Sequence, residues 1–139
     1  GGAGSSAGHG FAEADRIARG YLASRRVEWS MSGANGAPTP QAGTIKVLLG
    51  TVAVIADCLP RLGKVTASVR GGSVTVSGEG EGAALEGEIL KTLDGSAEAR
   101  DERTVLPATV FANARRFGVK VTIDATTPPT VSIGFSESS

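Results

Sequence analysis

The chain has 139 residues, 14 Lys plus Arg against 14 Asp plus Glu, one histidine and one cysteine. That length suits one domain with a proper core, or one domain plus a fragment, and balanced charge excludes both a basic field for nucleic acid and an acidic tail. Four Phe, one Tyr and one Trp leave a core of Val, Ile, Leu and Ala, without aromatic platforms for single-stranded nucleic acid.

In chain order, residues Gly1 to Gly10 are rich in Gly, Ser and Ala and read as a flexible linker that holds the sole histidine, His9. From Phe11 the pattern turns helical. Phe11, Ala14, Ile17, Ala18, Tyr21 and Leu22 share one face, and Glu13, Asp15, Arg16 and Arg19 lie mostly opposite. The spacing predicts an amphipathic helix over Phe11–Ser24, with Arg25 and Arg26 at its carboxyl end as the helix dipole prefers. A helix with one apolar stripe needs a partner, and a second chain is one candidate. Val27 to Met31 alternates as a strand, and Ser32 to Gly43 is a loop of Gly, Pro, Asn and Thr.

The longest apolar run, Ile45 to Pro60, is too long for an ordinary strand and is apolar on nearly every side, so it predicts a buried helix. Lys64–Arg70 and Ser73–Ser77 alternate around Gly71-Gly72, a hairpin turn signal. Gly78 to Gly82 reads as a glycine-rich acidic loop, Ala84 to Leu93 as a short helix, and Asp94 to Arg100 as a polar, mobile connection. A last helix is expected from near Thr104, which places Pro107 in its first turn, with Val105, Val110, Phe111 and Ala114 inward and Gly118 as its cap. Strands Val119–Asp124 and Thr130–Phe135 close the chain around Thr127-Pro128-Pro129.

Helices interleaved with mostly antiparallel strands predict an α/β (α+β) two-layer sandwich. It has one mixed, largely antiparallel sheet with helices on one face, preceded by one amphipathic helix.

Little catalytic chemistry can be built from these residues. His9 sits between Gly8 and Gly10, where nothing orients it as a base or phospho-acceptor, so an exposed loop histidine is the expectation. One His and one Cys cannot make a structural zinc site, and no metal or cofactor is expected. Cys58 lies in the apolar run and reads as a small core hydrophobe, and the absence of any possible disulfide fits the cytoplasm. Gly63-Lys64 fails as a phosphate-binding loop, because Val65 follows where Ser or Thr is required and Cys58 stands at the first Gly. Glu79 and Glu81 would repel phosphate from the glycine-rich loop. Arg16, Arg19, Arg25 and Arg26 read as a solvated helix face or a partner patch. No segment reaches the roughly 20 apolar residues of a membrane span.

In element order the chain resembles the catalytic domain of sensor histidine kinases, the GHKL or Bergerat sandwich. Leu48 to Val65 is similar to that family's N-box helix, its Pro-x-x-Gly exit and the next strand, and Gly78 to Gly82 is similar to the G1 loop. Laying Pro60 on the kinase proline puts Val54 where the N-box Asn would coordinate Mg²⁺, Gly50 at the preceding Asn, and Gly78 at the adenine-binding Asp. Only Arg103-Thr104-Val105-Leu106-Pro107 stands where a Gly-x-Gly would precede the last helix. The resemblance therefore implies a kinase sandwich that has lost its ATP site.

That combination is similar to the ChpT-type histidine phosphotransferases of alphaproteobacteria. Ala18-Arg19-Gly20-Tyr21-Leu22 ahead of Val27-Glu28-Trp29, the run Ile55 to Gly63, and Phe117-Gly118 before the last hairpin carry the likeness. It implies residues 1–25 as the loop and second helix of a dimerisation and phosphotransfer hairpin, and 26–139 as a degenerate ATPase-like sandwich. The phospho-accepting His would lie on a helix upstream of this chain, and His9 does not match it. Phe11, Ala14, Ile17, Ala18 and Tyr21 would form the bundle face of a homodimer. Glu81, Ala84, Leu85 and Glu86 would lie where a receiver domain docks, although relatives often carry basic residues there. Response-regulator receivers and a hybrid histidine kinase are the implied partners, with no nucleic acid or membrane. Two alternatives remain. One is a true GHKL ATPase using Asp57 or Asp94, and the other is a stand-alone interaction module working through the helix from Phe11.

Overall fold

The computed structural model describes residues 10–60 and 62–137. The elements are α1 (Phe11–Ser24), β1 (Glu28–Ser32), α2 (Ala42–Asp57), β2 (Lys64–Arg70), β3 (Ser73–Glu79), α3 (Gly87–Leu93), α4 (Glu102–Phe117), β4 (Val119–Ala125) and β5 (Thr130–Glu137). The five strands form one sheet in the order β1-β2-β3-β5-β4. β1 runs parallel to β2 and every other pairing is antiparallel.

Strict alternation sets the two faces of the sheet. Val65, Ala67, Val69, Val74, Val76, Val131, Ile133 and Phe135 are buried under α2. The outward rows carry hydroxyls, among them Ser30↔Thr66, Thr66↔Ser77 and Ser77↔Ser132. An antiparallel sheet tolerates water on one face when its pattern alternates in this way. The expected two-layer sandwich, mixed sheet and amphipathic leading helix are all present.

α2 is the central beam. Val47, Leu48, Thr51, Val52, Val54, Ile55 and Ala56 are all buried. It begins three residues before the apolar run, because the Glu137 carboxylate accepts from the Gln41 backbone N–H (2.8 Å) and the Thr44 hydroxyl. The last strand thus satisfies donors that the first turn of a helix leaves open.

Several boundaries differ from the sequence expectation. Gly78 and Glu79 belong to β3, not to a loop, since Gly78 pairs with Val65 and Val131. The short helix starts at Gly87, because Ala84 N–H bonds Cys58 O and Leu85 N–H bonds Thr126 O, which holds that segment extended. α4 starts at Glu102, set by an Asp101–Thr104 capping box. Pro107 therefore sits in the second turn, and the inward set is Thr104, Pro107, Val110 and Ala114, with Val105 turned out to 52% exposure. The 94–100 connection is tied down. Ser96 N–H bonds Asp94 Oδ1, Ala97 N–H bonds Lys91 O, and Gly95 has φ +83° with no room for a side chain against the Phe111 ring.

α1 packs on the chain's own body. Phe11, Ala14, Ala18 and Leu22 are buried against β1 and α2. Trp29 Nε1 donates to Asp15 Oδ1 at 2.7 Å. The apolar stripe that suggested a second chain is thus mostly covered from within, and Ile17 and Tyr21 remain on the surface.

Candidate functional site

At the carboxyl end of α2 the sandwich opens into a cleft of about 350 Å³. Val54, Asp57, Cys58 and Pro60 come from α2 and its exit. Gly82, Ala84 and Glu86 come from the segment after β3, Ile89 from α3, and Glu102, Arg103 and Pro107 from α4. Two ion pairs frame it. Arg103 pairs with Glu86, and Arg25, just past the end of α1, donates to Asp57 Oδ1 at 2.8 Å and to the Tyr21 hydroxyl. The Arg25 guanidinium also lies 5.5 Å from the centre of the Tyr21 ring. The Asp57 and Tyr21 bonds raise the Arg25 pKa against the opposing effect of burial. Burial pushes the Cys58 thiol up to about 11, with Asp57 and Glu86 adding to the shift and Arg103 opposing it. Among the described residues, no group of three or more His, Cys, Asp or Glu is placed to hold a metal ion.

The three positions aligned with kinase ligands meet different fates. Val54 lines the cleft wall at 1% exposure. Gly50 faces α4, where an added Cβ would come within 2.9 Å of Val110 Cγ2. Gly78 points into the core, where a Cβ would come within 2.6 Å of Ile55 Cγ2. Of the expected docking residues, Ala84 and Glu86 line the cleft and Glu81 is exposed beyond it. Leu85 is 4% exposed and belongs to the core, which removes it from any docking surface. Cys58 packs against the edge of the core and is not fully enclosed by it. It stands just past the end of α2, half-buried in the cleft wall. Asp57 reaches the cleft but is held by Arg25, and Asp94 lies outside it, bonded to Ser96. His9 falls outside the described residues.

Glu102, Arg103, Ile89 and Pro107 are cleft residues that sequence reasoning missed. One usable signal was available: Asp101 with Thr104 three residues on marks the start of α4 and hence the side that Arg103 presents.

A family model described as the histidine phosphotransferase C-terminal domain matches residues 11–128. The chain belongs to that family. The phosphotransferase domain also matches solved structures. A bacterial phosphotransferase solved at 1.7 Å is 18% identical with TM-score 0.77, over 91% of this chain and 63% of that one. The domain thus spans less than two thirds of that neighbour. The mycobacterial sensor histidine kinase MprB is 14% identical with TM-score 0.62, over 91% and 92% of the two chains. The catalytic domain of histidine kinase ThkA is 15% identical with TM-score 0.61, with the same coverage. These likenesses show that the phosphotransferase domain has the histidine-kinase catalytic-domain fold. A comparison with curated proteins finds no match. No helix among the described residues is long and apolar enough to cross a membrane.

Proposed function

We propose that this domain is the non-nucleotide-binding body of a cytoplasmic phosphorelay phosphotransferase, one that docks response-regulator receivers for His-to-Asp phosphate transfer. In this reading the phospho-accepting histidine is contributed by a helical segment outside residues 1–139, and a hybrid histidine kinase supplies the phosphate. The domain contributes proximity: transfer requires the two side chains to be held in line, and a fixed docking surface supplies that alignment.

The observation that carries the reading is the packing at the kinase-ligand positions. Any side chain at Gly78 meets Ile55, Leu59 and Val131, and one at Gly50 meets Val110. A polar ligand to Mg²⁺ or adenine at Gly78 requires Ile55 to move, and one at Gly50 requires Val110 to move. Val54 offers the third position only methyl groups. Isothermal titration with Mg²⁺–ATP is expected to show no binding, and a micromolar dissociation constant overturns the reading.

The homodimer is part of the same proposal, now narrowed. With Phe11, Ala14 and Ala18 buried within the chain, Ile17 and Tyr21 are the apolar residues of that helix left for a bundle. They line a small apolar groove with Leu49, Val52 and Ala53. Light scattering on the full-length protein is expected to give a dimer, which Ile17→Glu converts to a monomer.

A further inference from the structure

The sheet has two open edges, β1 and β4. Among the described residues, the backbone of β4 is bonded to β5 alone, so its outer row of N–H and C=O groups is a template for another strand. Its side chains sort by face. Val121 and Ile123 stand opposite Phe135 and Ile133 on the buried face, and Lys120 and Thr122 stand opposite Ser136 and Gly134 on the other. Asp124, where the register with β5 shifts, joins that other face: its Oδ2 lies over Gly134, 2.9 Å from where a Cβ would sit. Phe135 and Ile133 are sealed, yet Val121 and Ile123 are only half-buried, since no strand covers their open side. Among the described residues, neither Lys120 nor Asp124 has an ion pair. They cannot reach each other within one chain, because four residues of strand separate them by roughly 13 Å.

The stretch Lys120 to Asp124 is its own complement. Laid antiparallel on a second copy about a two-fold axis at Thr122, Lys120 meets the partner's Asp124, Val121 meets the partner's Ile123, and Thr122 meets the partner's Thr122. Every other register parts Lys120 from Asp124, and a slip of one residue sets Lys120 against Ile123 or Ala125. A uniformly acidic or basic strand answers only one of the two charges. The other edge lacks this property: about Ser30, Glu28 would meet Ser32. We propose that β4 is a self-association edge, at which two copies of this chain pair antiparallel about Thr122 and join their two sheets into one. Both copies use the same patch, as an isologous two-fold contact requires. Each contact holds two Lys120–Asp124 pairs and two Val121–Ile123 pairs, cross-strand neighbours of the kind that stabilise a sheet. So short an edge buries less than the roughly 1,000 Å² of a lasting interface, which makes the contact weak and concentration-dependent. It lies on the opposite side of the sheet from α1, which packs on β1, so this contact and the proposed α1 bundle can fail separately.

The test is disulfide trapping in full-length protein stripped of its native cysteines and carrying Ile17→Glu to remove the α1 contact. Thr122→Cys is expected to form a linked dimer on mild oxidation, because directly opposed residues stand about 5 Å apart, within disulfide reach. Lys120→Cys is expected to stay unlinked, because its two copies lie about 14 Å apart. A second measurement needs no engineered thiol. In the same Ile17→Glu background, Lys120→Glu is expected to weaken self-association about tenfold in sedimentation equilibrium, since it sets like charges opposite each other. Adding Asp124→Lys exchanges the two charges and is expected to restore it. The charge series stands if a cysteine variant fails to fold. Failure of folded Thr122→Cys to link at millimolar protein overturns the proposal. So does equal linking at positions 120 and 122, or a charge-exchanged variant as weak as Lys120→Glu alone.

Discussion

The two ends of α2 make opposite use of one helix. Along most of its length, Val47, Leu48, Thr51, Val52 and Ile55 are sealed between the sheet and the other helices. At its carboxyl end, Asp57 and Cys58 turn toward a cleft assembled from α2, the segment after β3, α3 and α4. The first region is held by shape and dryness, and the second by exposed pairs that trade partners at little cost. The contrast teaches that one stretch of a helix can be packed tight while a cleft stays open at its end. Here Gly50 and Gly78 have been absorbed into packing while the opening beside them has stayed.

The sharpest way to break that contrast is to restore a kinase residue inside the packed region. Gly78→Asp forces a carboxylate against Ile55 and is expected to cost about 3–5 kcal/mol, as an uncompensated buried charge does. Urea denaturation measures it, and a stable variant would show that the region can open. Next is a paired truncation of neighbouring residues with equal burial. Ile55→Ala is expected to cost about 2–5 kcal/mol, because the sheet cannot collapse into the hole. Val54→Ala, at the cleft wall, should cost only about 1.5 kcal/mol, the transfer term for the lost methyls.

A smaller effect runs the other way. Among the described residues, the buried Thr51 hydroxyl has no hydrogen-bond partner. Thr51→Val is expected to stabilise by about 1 kcal/mol, visible as a rise in Tm, because an unmatched buried hydroxyl is removed. The last test belongs to the cleft. With its thiol pKa at about 11 rather than 9.0, Cys58 should react with iodoacetamide at pH 8 about a hundredfold more slowly than an unfolded cysteine. Because the folded pKa is the higher one, the native state holds the proton longer. Stability therefore falls as pH rises from about 9 to about 11. Cys58→Ala is expected to flatten that decline.

Much of the packed region was legible in the sequence because one periodicity dominates each element there. The alternation over Lys64–Arg70 and Ser73–Ser77 specifies face as well as strand, and α1 spans the predicted Phe11–Ser24. The cleft was not legible, because its residues come from segments up to about fifty positions apart and share no period. Two specific errors have physical sources. Gly78 reads as loop because glycine usually does, but here the missing side chain makes room for Ile55 inside a strand. Leu85 reads from the sequence as part of a helix and a docking edge, but backbone bonds from Ala84 to Cys58 and from Leu85 to Thr126 draw the segment into the core. Such cross-chain bonds leave no trace in local composition. The stripe on α1 is plain in the sequence but its partner is not, since an apolar face is the same whichever chain covers it.

The join between α1 and β1 is three residues long. Arg26 is in left-handed backbone, and the Val27 N–H is bonded back to Leu22 O. With four core side chains before that join and the Arg25–Asp57 bond at its first residue, α1 is fastened to the sandwich along its face and at its carboxyl end. Turning α1 against the sheet means unseating those four side chains and breaking a bond at the rim of the cleft.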